Sequence, residues 1–280
     1  MATPPPNDFS NHLAKWVYKE SLASIVLVKL QPKDTAEIRD AVNQLDPLPE
    51  NEPKEVHEQN VIRRNRDCEE VRCSTWFVIR ATENHLDMLT CTHSLDHVFN
   101  SASPISAKRI GELFEVSVIC DHCESKFHDK KHKERRWTTA VVTEVDCRKD
   151  LMLLRVEIGP LRKNCKDAHH PLRLAQSFPP PLETIVMSLW PPFKPQTACV
   201  GETSHHSREF FEVFIDDPEA YTMKLFEASI LADKRSLGAP MLNGAYEVVG
   251  ALHGGSMTNL CYFISIDDIR NALRQWGVIG

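Results

Sequence analysis

Between residues 74 and 264 the chain is broken into short apolar runs set apart by turn residues: 75–79, 86–90, 113–119, 137–145, 151–156, 172–174, Thr184–Leu189, 210–215, 225–228, 248–252 and 260–264. Runs this short, rich in β-branched and aromatic residues and closely spaced, read as strands. With no helical pattern between them they are expected to pair antiparallel, and they are more than one small barrel holds. The expected architecture is therefore all-β, with two six-stranded antiparallel β-barrels.

The two ends of the chain read differently. Residues 1–12 are expected to be a disordered leader, because three consecutive prolines, Pro4 to Pro6, neither join a ladder nor sit inside a helix. The β-branched run from Ser24 to Leu30 is strand-like, and Asp34 with Glu37 then forms a capping pair for a short helix whose apolar face is Ile38, Ala41, Val42 and Leu45. Residues 46–72 are mostly charged and carry prolines, so they are expected to be a solvated part of an insertion at 33–72. At the other end Ser265 is placed as the N-cap of a C-terminal helix over 265–276, with Ile269, Leu273 and Trp276 on one face and Gly277 as its stop. The expected division is a first barrel over 13–160 and a second over 161–280.

Composition excludes several classes. With 33 Lys plus Arg against 39 Asp plus Glu, the net charge of −6 gives no global field for nucleic acid or an anionic membrane. No apolar run approaches the roughly 20 residues that span a bilayer, and the first ten residues contain no apolar signal core. Nine cysteines, an odd number, point to reduced thiols in an intracellular protein that is not secreted.

Three places carry the chemistry of a nucleophile, a base and an orienting acid. His93 stands at a strand end in Thr90-Cys91-Thr92-His93; Asp150 immediately precedes the strand Leu151-Met152-Leu153-Leu154-Arg155-Val156; and a small-residue loop runs Arg235-Ser236-Leu237-Gly238-Ala239-Pro240. In these residues, and in their order, the chain resembles the trypsin-like serine proteases, in particular the HtrA/Deg branch. The resemblance extends over most of residues 20–276, including Phe77-Val78-Ile79 before the histidine, Pro171-Leu172-Arg173-Leu174 at the second barrel, and Phe263-Ile264-Ser265-Ile266-Asp267 before the last helix. It implies a polypeptide substrate or protein partner, and many relatives assemble as trimers. It also implies a peptide-binding cleft between the barrels, where an extended chain would pair with the strand edge at His253, Gly254 and Gly255.

The nucleophile loop departs from the family. Aligned on Pro240 without gaps, the serine position reads Leu237, while Arg235 replaces the first glycine of the motif and Gly238 keeps the next one. Leucine has no nucleophilic atom, and a Cβ at Arg235 restricts the backbone that would aim an oxyanion-binding amide. Ser236, one position early, is the alternative nucleophile. If Leu237 lies beside His93, its apolar side chain is expected to lower the imidazole pKa, against the raising effect of Asp150.

No cofactor is expected other than a structural zinc. Cys120, Cys123, His128 and His132 supply two thiolates and two imidazoles within one predicted hairpin, 120–136, the donor set of a tetrahedral site. Three functional readings follow: a pseudoprotease that binds peptides or proteins, an active endopeptidase using Ser236 with His93 and Asp150, and an interaction protein working through the Cys/His hairpin and the charged insertion. The basic run 129–136 lacks interleaved aromatics, so nucleic-acid binding is not expected.

Overall fold

The computed structural model describes residues 6–49, 53–100, 102–120, 137–165, 167–179, 182–189, 196–214, 220–232, 236–255 and 260–280. The chain is mostly β, in two sheets. The first is formed by β1 (Ile25–Pro32), β2 (Arg72–Ala81), β3 (His85–Thr90), β4 (Phe114–Ile119), β5 (Thr138–Thr139), β6 (Val141–Asp146) and β7 (Leu151–Glu157), in the order β5-β4-β1-β2-β3-β7-β6. It is antiparallel throughout and stops as a half-barrel. The second contains β8 (Arg173–Leu174), β9 (Thr184–Leu189), β10 (Thr197–Glu209), β11 (Lys224–Ser229), β12 (Pro240–Leu242), β13 (Glu247–Gly255) and β14 (Leu260–Ser265), in the order β12-β9-β10-β11-β14-β13-β8. A further antiparallel pairing of β12 with β13 closes six of these strands into a barrel, and β8 joins its rim in parallel with β13.

The run Ile25-Val26-Leu27-Val28 shows no apolar/polar alternation because both faces of the first sheet are buried. Ile25, Leu27, Phe77, Leu89, Leu151 and Leu153 share a core with the second barrel, whereas Val26, Val28, Trp76, Met88, Met152 and Leu154 pack in a separate core on the other face. That second face is covered by helices. α2 (Thr35–Leu45) contributes Ile38 and Val42, and the Asp34 side chain accepts from the Ala36 amide at 2.8 Å, as the capping pattern predicts. α4 (Ala107–Leu113) adds Ile110 and Leu113, and α5 (Ile158–Asn164) adds Leu161.

Several expectations are overturned. The leader is not disordered over its expected length, because α1 (Pro6–Ser21) begins at Pro6, a position where the missing amide of proline costs nothing. The charged insertion holds α3 (Lys54–Glu69), anchored by fully buried Cys68 and by Arg64, which donates to Asn43 Oδ1 and Asp46 Oδ2 at 2.9 and 2.7 Å. The expected strand at 210–215 is not formed over its described residues: Phe210–Val213 is the single turn α6, closed by a reciprocal capping box between Glu209 and Glu212. The preceding polar stretch is strand instead, because β10 is paired on both sides, by β9 and β11. The C-terminal helix α7 (Ile266–Gln275) starts as expected, with the Ser265 hydroxyl accepting from the Asp268 amide at 3.0 Å, and Gly277 takes a positive φ of 66° beyond its end.

α1 precedes the first sheet yet packs on β9 and β10 of the second barrel. Tyr18 donates to the Gln196 carbonyl at 2.9 Å, the Ser21 and Ser188 hydroxyls meet at 2.7 Å, and Ala14 and Val17 are buried in the shared core. Val17→Ala removes two fully buried methyls, and the expected cost is about 2 kcal/mol in chemical denaturation. A change within about 0.5 kcal/mol, the range of surface substitutions, would mean that α1 does not contribute to the core.

Candidate active site

The site forms where the turn after β3, the turn before β7 and strand β13 meet. Asp150 ends the tight β6–β7 turn with a left-handed φ of 54°, a conformation that aspartate tolerates better than most residues, and its carboxylate is completely buried. A buried carboxylate must be hydrogen-bonded. Oδ1 accepts from the Thr92 amide at 2.7 Å, the Thr92 hydroxyl at 2.8 Å and the His93 amide at 2.7 Å. Oδ2 lies 2.9 Å from His93 Nδ1 and 2.6 Å from His93's neighbour in space, His253, again at Nδ1. Because a carboxylate only accepts, both Nδ1 atoms carry protons and both Nε2 atoms are turned away from it.

The structure therefore joins His93 and Asp150, as the sequence order predicts. It also assigns His253 a different position from the expected one. His253 is not at an exposed strand edge but is buried, with its ring centroid 4.5 Å from that of His93 and 5.3 Å from those of Phe210 and Tyr221. No local pattern signals this contact, because His253 lies 103 residues from Asp150. Cys91, fully buried beside His93, is also part of the cluster, and burial pushes its thiol pKa up, which keeps it protonated rather than nucleophilic.

Burial opposes charge on His93, but the adjacent Asp150 carboxylate outweighs it, and the imidazole pKa is raised well above the usual 6.5. The expected lowering of the His93 pKa by an apolar neighbour is thus overridden. Burial alone would also raise the Asp150 pKa, yet the two imidazoles and their hydrogen bonds hold it well below the usual carboxylate range.

The nucleophile loop is held by both sheets. The Thr75 amide of β2 donates to the Leu237 carbonyl at 3.0 Å, and the Gly238 amide donates to the Leu252 carbonyl of β13 at 2.8 Å. Gly238 has a φ of +76°, and a Cβ there would run into the Thr90 hydroxyl and the Thr75 carbonyl, so glycine is required. Its amide is spent on Leu252 and is not offered to an oxyanion. Leu237 is half-buried; Ser236 is fully buried, and its Oγ makes no hydrogen bond among the described residues. Arg235, Cys123, His128 and His132 lie outside the described residues. Gly254 and Gly255 pair with Tyr262 and Cys261 of β14, and no strand pairs with them on the opposite side among the described residues. No helix among the described residues is long and apolar enough to cross a membrane.

A half-barrel and a closed barrel with His93 and Asp150 at their junction decide the architecture. The chain has the trypsin-like serine protease fold. Over 100% of its length it superposes on 90% of the Rv3671c protease from M. tuberculosis in its active form, with a TM-score of 0.59 at 15% identity. The inactive Ser343Ala form of Rv3671c from the H37Rv strain gives 0.57 at 14% identity, covering 100% of this chain and 98% of that one. Deg5 gives 0.58 at 12% identity, covering 96% of this chain and 95% of that one. No protein-family model matches the sequence, and no curated protein matches it.

Asp150→Asn leaves every heavy-atom position occupied while removing the charge. The expected result is a fall in the His93 pKa of at least about one unit by NMR titration, with a stability loss of about 3–5 kcal/mol. The pH dependence has a definite sign. Stability from His93, whose folded pKa is raised, is complete below pH 6.5 and is lost as pH rises through the folded value. Stability from Asp150 is complete above its usual 3.8 and is lost as pH falls through its depressed folded value. A His93 pKa unchanged by Asp150→Asn would refute the dominance of this carboxylate.

Proposed function

We propose that this protease-fold protein is a catalytically impaired pseudoprotease that binds extended polypeptide in the cleft between its barrels. The observation that carries the reading is the retained His93–Asp150 pair beside a nucleophile loop with Leu237 at the serine position and the Ser236 hydroxyl fully buried. Loss of the nucleophile typically removes several orders of magnitude in rate, which leaves the fold without useful peptidase activity. The binding half of the proposal rests on the open side of β13 at Gly254 and Gly255, where the backbone of an extended peptide can add a strand. The nine cysteines, an odd number, support an intracellular location.

A fluorophosphonate probe tests the catalytic half, because it labels an activated serine without requiring a known substrate. The expected outcome is no labelling of the wild type. Labelling that is abolished by both Ser236→Ala and His93→Ala would establish an active endopeptidase and overturn the reading. Labelling gained only in Leu237→Ser would locate the loss of activity at one side chain. The binding half predicts that fluorescence anisotropy of labelled casein rises on titration with wild-type protein, and that Gly254→Pro, which obstructs the open edge, weakens binding at least about tenfold.

A further inference from the structure

A second cluster of chemically competent side chains lies away from the His93–Asp150 site. Cys120 directly follows β4, Cys165 directly follows α5, and His169 lies on the segment that crosses from the first sheet toward β8 of the second barrel. The two Sγ atoms are 3.7 Å apart, and Cys120 Sγ is 3.9 Å from His169 Nδ1. The donor atoms of the three residues all lie within 4.8 Å of one another, and both cysteines are buried.

These separations have a specific meaning. A disulfide holds its sulfurs about 2 Å apart, so 3.7 Å is not a bonded pair. Two thiolates at about 2.3 Å from a tetrahedral metal are, by geometry, about 3.8 Å apart, and a thiolate and an imidazole nitrogen about 3.6 Å. The Sγ–Sγ edge thus already has the length found in a zinc tetrahedron, and a ring nitrogen of His169 lies within 4.8 Å of both sulfurs. The supporting shell is also in place: His169 Nδ1 lies 2.8 Å from the Ala23 carbonyl, a contact that makes Nδ1 the protonated nitrogen and directs Nε2 as the donor. The Ser24 hydroxyl holds the next carbonyl, that of His170, at 2.6 Å.

We propose that Cys120, Cys165 and His169 bind a structural zinc ion. Binding converts two thiols to thiolates with release of two protons, and the ion takes both sulfurs and the neutral imidazole. The proposal stands on these three residues. Of the four ligands expected from sequence alone, Cys120 is retained, while Cys165 and His169 come from a segment more than forty residues further along. A metal here would clip the end of β4 to the crossover between the barrels and to the turn that feeds β1.

The test uses the full chain purified under reducing conditions from zinc-supplemented medium. Elemental analysis is expected to find about one zinc per chain, and replacement with cobalt should produce the thiolate charge-transfer band and intense d–d bands of a tetrahedral site. Cys165→Ser and His169→Gln should each reduce zinc at least about tenfold, whereas Cys68→Ser, at a buried cysteine that is not one of the clustered donors, should retain it. Wild-type protein without zinc and without a cobalt–thiolate band would overturn the proposal, as would zinc content unchanged by Cys165→Ser. The cobalt spectrum is read on the wild type, so the proposal remains falsifiable even if a variant does not fold.

Discussion

One buried carboxylate ties the first sheet to the second barrel. Asp150 has no access to water, and an isolated charge in that position would be prohibitively unstable. Five donors compensate it: two amides, a hydroxyl and two imidazoles. They come from the turn after β3 and from β13, so satisfying Asp150 requires the first sheet and the second barrel to dock in one arrangement. The same requirement fixes both histidine rings, because each must present Nδ1–H to the same oxygen. The geometry of a base held by an acid is in this sense a consequence of burying Asp150.

The second constraint is that the first sheet is covered twice. Alternate residues of β1 point into two different cores, one shared with the second barrel and one beneath α2, α4 and α5. A sheet with helices on one face and a barrel on the other needs no closure to be protected from solvent, which accounts for its ending as a half-barrel. The second sheet closes on itself through β12 and β13, with α1 packed on β9 and β10 and α7 on β13 and β14. The loop carrying Ser236 and Leu237 bridges the two sheets, and its hydrogen bonds to Thr75 and Leu252 use only backbone groups.

Much of this was legible in the sequence because it depends on local pattern. β-branched runs marked the strands, and the caps at Asp34 and Ser265 marked their helices, since in each case the determining residues are adjacent. The elements that escaped notice are those set by partners remote in sequence. β10 is polar and becomes a strand by pairing with β9 and β11, and α3 is mostly charged and is anchored by Cys68 and Arg64. At the site, His93 and Asp150 were legible through their order and motif. His253 was read as part of a peptide-binding strand edge and not as a partner of Asp150, because its bond to Asp150 spans 103 residues. The same limit applies to Cys165 and His169, which meet Cys120 across 45 and 49 residues.

The hydrogen bonds at His93 and at position 237 place different demands on the side chain. Substituting His93 by an apolar residue would remove one donor from a buried carboxylate, and a buried group left short of a hydrogen bond costs about 1–3 kcal/mol, more when it is charged. That cost falls on stability whether or not a peptide is ever cleaved. Position 237 carries no such cost. Its carbonyl, not its side chain, anchors the loop to Thr75, and the glycine that the loop geometry requires is Gly238. A change from serine to leucine there leaves each of these hydrogen bonds intact. His93 and Asp150 are therefore held together by the physics of burial, whereas the side chain at 237 can vary without breaking the hydrogen bonds that hold its loop.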